Sequence, residues 1–114
     1  METKGKNRKL AEFMGYELKW SNITDNWYAP DQWGAWQPDK NLNQLFSVVD
    51  RILDKTDWDF EVSGDSRPDS WYAGFSRNLN SIVPQGIPVH ETRAQAIYAA
   101  CLAAIDHINE EING

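Results

Sequence analysis

Cys101, His90, His107, Arg77, the acidic run from Asp54 to Asp69 and six tryptophans are the residues whose types could do chemistry in this chain. A thiol nucleophile needs exposure, a depressed pKa and a base beside it. Cys101 falls between Ile97 and Ile105 at helical spacing, on an apolar face, so it is expected to be a small core residue. A calcium loop needs carboxylates around a central glycine and a closing glutamate at a fixed offset. Asp54, Asp57, Asp59 and Glu61 have neither, and the cluster reads as a solvated helix end. His90 and His107 are far apart, and neither has a carboxylate or thiol at the spacing zinc requires. His90, just before Glu91, suits a helix cap, and His107 suits the negative end of a helix dipole. No catalytic signature or phosphate loop stands in the sequence. The expectation is a chain that is not an enzyme, with no catalytic residue, no metal site and no cofactor.

The tryptophans divide into two groups. Trp20, Trp27, Trp58 and Trp71 fall in extended, alternating segments, where an indole ring is a large core anchor. Trp33 and Trp36 fall in a segment punctuated by Pro30, Gly34 and Pro38, with Asp31 and Asp39 nearby, where an exposed ring would mark a binding surface. The candidate binding residues are therefore Trp33, Trp36 and Arg77, flanking a pocket on the loop side of a sheet.

Charge bounds the partners. Seventeen acidic residues against 11 basic ones give a net charge of -6, the opposite of what phosphate contacts require, so no nucleic-acid partner is expected. Lys4, Lys6, Arg8 and Lys9 crowd the start, and residues 1–7 are expected to be frayed. That basic head passes into Leu10, Ala11 and Glu12 without an apolar core, so it does not read as a secretory signal. The longest apolar run is broken by Asp106 and His107, short of the roughly 20 residues a bilayer span needs. One cysteine builds no internal disulfide, and a cytoplasmic location is expected. Asn22, Ile23 and Thr24 match a glycosylation acceptor in form only. With 114 residues and 41% hydrophobic content, the chain suits one globular domain, 1–114, with a core of its own.

The elements that must position these residues follow from periodicity. Leu10, Phe13 and Met14 predict a short helix opened near Asn7 and stopped by Gly15. The segments Tyr16 to Trp20 and Trp27 to Ala29 predict a hairpin across a polar turn, and Pro30 to Asn41 reads as loop. Leu42, Leu45, Phe46, Val49, Ile52 and Leu53 predict a helix capped by Asn41, with Gln44, Ser47, Asp50, Arg51, Asp54 and Lys55 on its wet face. Trp58, Phe60 and Val62 alternate with Asp59, Glu61 and Ser63 in a strand that returns as Trp71 to Ser76. Arg77 to His90 reads as an ordered loop. Ile97, Cys101, Ala104, Ile105, Ile108 and Ile112, with a second stripe through Tyr98 and Leu102, predict a final helix opened at Thr92 or a neighbour and buried on more than one side.

Trp58 to Val62, Trp71 to Phe75 and the alanine-rich run Glu91 to Ile105 resemble the strand, strand and helix of the phage ABA-sandwich domain, a family of small phage and prophage proteins. Leu10 to Tyr16, the Trp27–Tyr28 pair, Trp36 to Pro38 and Leu42 to Ile52 are similar in the same order. The resemblance implies a layered helix-sheet-helix fold and a phage or prophage source, and carries no catalytic residue with it. The expected class is α+β, in helix-hairpin-helix-hairpin-helix order. An antiparallel sheet of about four strands is covered on both faces in a three-layer α/β/α sandwich. A two-layer α/β arrangement is the alternative, because a strand with Asp59 and Glu61 on one face is not suited to burial on both. The expected function is that of a non-enzymatic phage or prophage accessory protein that binds another protein, with negative charge steering it toward a basic partner. The alternative is a small-ligand domain for a nucleotide or sugar.

Overall fold

A computed structural model of the chain describes residues 3–28, 35–64, 70–77, 80–83 and 90–113. Helix α1 spans Thr3–Met14. Leu10 and Ala11 on its inner side are fully buried, and Asn7, one turn earlier on the same stripe, is buried with them. The helix thus begins ahead of Asn7, which lies inside it rather than at its start. It ends as expected at Gly15, whose φ of 80° is the left-handed conformation of a Schellman cap. Tyr16 N–H donates to the Ala11 carbonyl at 2.9 Å and Gly15 N–H to that of Glu12 at 3.1 Å.

The predicted front hairpin forms from β1 (Lys19–Ser21) and β2 (Asn26–Tyr28), with Asp25 in the turn at a φ of 58°. The segment read as loop then contributes a two-residue strand, β3 (Ala35–Trp36), and the three strands make an antiparallel sheet in the order β1-β2-β3. Helix α2 (Leu42–Lys55) is capped by Asn41, whose side chain accepts from the Gln44 N–H at 3.2 Å. Leu45, Val48, Val49 and Ile52 are its buried stripe, and Gln44, expected on the wet face, is buried among them. At the other end the Thr56 hydroxyl donates to the Ile52 carbonyl and accepts from the Trp58 N–H, which turns the chain into the next strand.

The second sheet has the order β4 (Asp59–Gly64), β5 (Trp71–Arg77) and β6 (Asn80–Val83), all antiparallel. Strand β6 lies in the segment read as loop, and a register irregularity at Phe75 and Ser76 joins it to β5. Beyond it, His90 pairs with Trp71 through two backbone hydrogen bonds, so His90 extends the sheet rather than capping a helix. The register places Phe60 beside Phe75 and Val62 beside Ala73 on one face. Asp59, Glu61 and Ser63 point the other way and are exposed.

Helix α3 (Arg93–Asn113) starts as predicted, with the Thr92 hydroxyl accepting from the Gln95 N–H at 3.1 Å. Helix α3 packs against all three strands of the second sheet, and also against α1 and α2. Ala96, Ala100 and Ala104 repeat every fourth residue beside Ile97, Cys101 and Ile105, all buried, so backbones approach closely along the helix. Each buried Leu or Ile of this core contributes about 1.5–3 kcal/mol from burial. The fold is α+β. The expected single sheet of about four strands is instead two sheets of three: each hairpin pairs with a third strand from a proline-punctuated segment, β3 or β6, rather than with the other hairpin. Helix α3 covers one face of β4–β6 and Asp59 and Glu61 stay wet on the other, the one-sided coverage of the two-layer alternative.

Candidate functional site

Direct pairing in the first sheet sets Trp20 opposite Trp27 and Trp27 opposite Trp36. Residues paired in this way share a face, so the three indoles form one row across the sheet. Trp20 and Trp27 meet edge to face with ring centroids 5.1 Å apart, and both are half-buried. Trp36, on β3, is buried; it meets Tyr16 edge to face at 5.2 Å and donates its indole N–H to the Asn7 carbonyl at 2.8 Å. The row therefore runs from the interior at Trp36 to the surface at Trp20.

Beside this row is a cavity of about 270 Å³ that Trp20, Trp27 and Trp36 line with Asn7 of α1. The hairpin contributes Asp25 from its turn and Asn26 from β2, and the turn before α2 contributes Gln37, Asp39 and Lys40. A second cavity of about 280 Å³ lies beside Tyr16 and Leu18 and shares Trp27. There the Arg8 guanidinium stands 5.8 Å from the Trp27 ring centroid and pairs with Glu12 at 3.1 Å.

Part-buried hydrogen bonds fix the first cavity's wall. Asn7 donates from Nδ2 to Asp39 Oδ1 at 2.8 Å and accepts at Oδ1 from the Tyr98 hydroxyl at 2.7 Å. Burial, and then the negative charge of Asp39, raise the Tyr98 pKa, so its hydroxyl keeps the proton it donates. The carboxylate accepts and the hydroxyl donates, so the orientation of the Asn7 amide is determined. Gln44 does the same for the neighbouring turn: Oε1 accepts from the Gln37 N–H at 2.7 Å and Nε2 donates to the Ala35 carbonyl at 3.0 Å.

The residues singled out from the sequence separate. Trp33 lies outside the described residues. Trp36 lines the cavity, yet its ring is 1% exposed, because β3 turns it inward and Asn7 satisfies its N–H. Trp36 is therefore not the exposed ring that would mark a binding surface. Arg77 closes β5 in the other sheet, pairs with Asp57 at 2.7 Å and takes no part in the cavity. Trp20 and Trp27, assigned to the core from sequence, are the indoles that reach the surface, and Asp25 and Asp39 are the carboxylates beside them. The signal that could have found the site was in the spacing: Asn7, Leu10, Ala11 and Met14 lie on one stripe of α1, which places a polar residue inside the fold.

Other chemically suggestive residues are structural. Cys101 is fully buried, and burial pushes its thiol pKa up, away from a reactive thiolate. His107 meets Trp58 edge-on at 5.6 Å. Among the described residues no three of His, Cys, Asp and Glu gather closely enough to hold a metal ion, and no helix is long and apolar enough to cross a membrane.

No protein-family model matches the chain, and no curated protein matches it. Among solved structures, the chain is similar to a phage protein from Bacillus cereus ATCC 14579, known from a 2.0 Å crystal structure. The TM-score is 0.58 at 20% sequence identity, over 91% of this chain and 92% of that one. The two share a fold.

Proposed function

We propose that this chain is a non-enzymatic phage or prophage accessory protein that acts by binding another protein. The half-buried Trp20–Trp27 pair beside the cavity carries this reading: indole rings held edge to face by a sheet are rigid anchors of the kind that dominate protein interfaces. The hairpin they belong to also carries Ile23 at its tip, 97% exposed, so an apolar side chain and two aromatic ones stand on a single ribbon. The net charge of -6 favours a basic partner by steering encounter. Support for a phage or prophage source comes from the shared fold with the Bacillus cereus phage protein and from the resemblance to the ABA-sandwich family.

The test is affinity capture from a bacterial host lysate with the full chain, beside Trp20→Ala and Ile23→Ser variants that circular dichroism shows to be folded. A partner recovered by the parent chain and lost from both variants is the expected result. Equal recovery by the variants, or none by the parent, overturns the reading.

The cavity favours a second reading, a small-ligand domain. At about 270 Å³ it lies just under the usual range of small-molecule sites and has room for one ring, not for a dinucleotide. A nucleotide and sugar panel read by tryptophan fluorescence separates the two, since a saturable response to a free sugar or base belongs to this reading alone.

A further inference from the structure

We propose that the cavity beside the tryptophan row takes one cationic group, a guanidinium or ammonium, carried on a side chain of the protein partner. This rests on the protein-binding reading and names the chemistry its partner presents. Among the described residues, two carboxylates, Asp25 and Asp39, and one ammonium, Lys40, line the cavity, and their sum is a net negative charge. Lys40 is exposed, and a lysine stem lets its head turn to water.

Asp39 is held in place before any ligand arrives. Asn7 binds one of its oxygens, and Asn7 is itself held by Tyr98 on α3. A carboxylate accepts at both oxygens, and one fixed by a buried amide offers the other without the cost of immobilising a free side chain. Its field is already felt inside the protein, where it helps to keep Tyr98 protonated. The aromatic wall suits the same charge: indole is the best of the aromatic faces for a cation, and in the neighbouring cavity Trp27 already has the Arg8 guanidinium 5.8 Å from its centroid. The volume matches one long side chain rather than a folded ligand. Electrostatics decides against the neutral alternative, since a sugar hydroxyl gains little from net charge, whereas a cation gains from the two carboxylates and the indole faces.

Tryptophan fluorescence of the full chain tests this with N-acetyl-arginine amide, N-acetyl-lysine amide, the neutral isostere N-acetyl-citrulline amide and N-acetylglucosamine as probes. The arginine or lysine probe is expected to give a saturable change in the millimolar range and to bind about tenfold more tightly than the citrulline probe. That binding weakens as salt is raised. Asp25→Asn, in an exposed turn whose left-handed backbone asparagine accepts, is expected to weaken it several-fold with an unchanged melting temperature. Asp39→Asn does so more strongly. The proposal is overturned if citrulline or the sugar binds as well as the cations, if no cation binds up to about 100 mM, or if Asp25→Asn and Asp39→Asn both leave the response unchanged. It fails separately from the protein-binding reading: a partner captured equally by the parent chain and by both Asp variants removes the cation pocket and keeps the partner. Cation binding with no partner in any lysate does the reverse.

Discussion

Asn7 and Asp39 stand 32 residues apart in sequence and are joined by a 2.8 Å hydrogen bond that ties the middle of the first helix to the turn before the second. The bond serves stability and the candidate site at once. A buried amide replaces water around a carboxylate, and the same amide secures a tyrosine from the third helix.

Replacing Asn7 is therefore expected to cost more than replacing either partner. Asn7→Ala removes the donor to a carboxylate and the acceptor from the Tyr98 hydroxyl, and should destabilise the fold by about 2–4 kcal/mol. Tyr98→Phe removes one neutral donor and should cost about 1 kcal/mol. Urea unfolding of the two variants checks the order, and a larger loss from Tyr98→Phe contradicts it.

Gln44→Ala is expected to cost about 1–3 kcal/mol, since it strips partners from the Gln37 N–H and the Ala35 carbonyl. Strand β3 is two residues long and depends on that tether. Hydrogen exchange at the Trp36 and Gln37 amides should quicken in this variant before global unfolding does.

Gly15→Ala meets no steric obstacle, because nothing lies within 4 Å of the added methyl group. The cost is that of the backbone alone, about 1–2 kcal/mol for a left-handed alanine. Gly15→Asn should lose less, and thermal unfolding of the pair gives the comparison.

Alkaline pH is expected to weaken the fold through Cys101. Burial raises its pKa in the folded state, so the folded protein holds the thiol proton after the unfolded chain has released it. This contribution is complete below the unfolded value of about 8.5 and is lost above it at about 1.4 kcal/mol per pH unit. Tyr98 adds a loss of the same sign above about pH 10. Denaturation between about pH 8.5 and 10 should show a slope that Cys101→Ala flattens. A slope unchanged in that variant assigns it elsewhere.

Periodicity made the long helices, the first hairpin and the central strand pair legible, because each buries a stripe or a face that repeats along the sequence. Asn41, Thr92 and Gly15 announced their helix ends by residue type alone. Strands β3 and β6 were not legible: one is two residues long, the other is joined to β5 through an irregular register, and both lie among prolines that read as loop. The same limit applied to the site. Asn7 and Gln44 are polar residues on apolar stripes, and what satisfies them comes from elements remote in sequence. Turn formers around Trp36 left its exposure open, and tertiary contact with α1 buries it. The sequence spacing of Trp20 and Trp27 showed strands but not which rim of the sheet they would reach.

Among the described residues β4 is an outer strand of its sheet, and a long free ribbon of backbone amides and carbonyls invites a second ribbon to zip onto it. Asp59 and Glu61 give every copy the same fringe of charge along that border. Two molecules approaching border to border repel each other, so two side chains that contribute nothing to the core oppose edge-to-edge pairing.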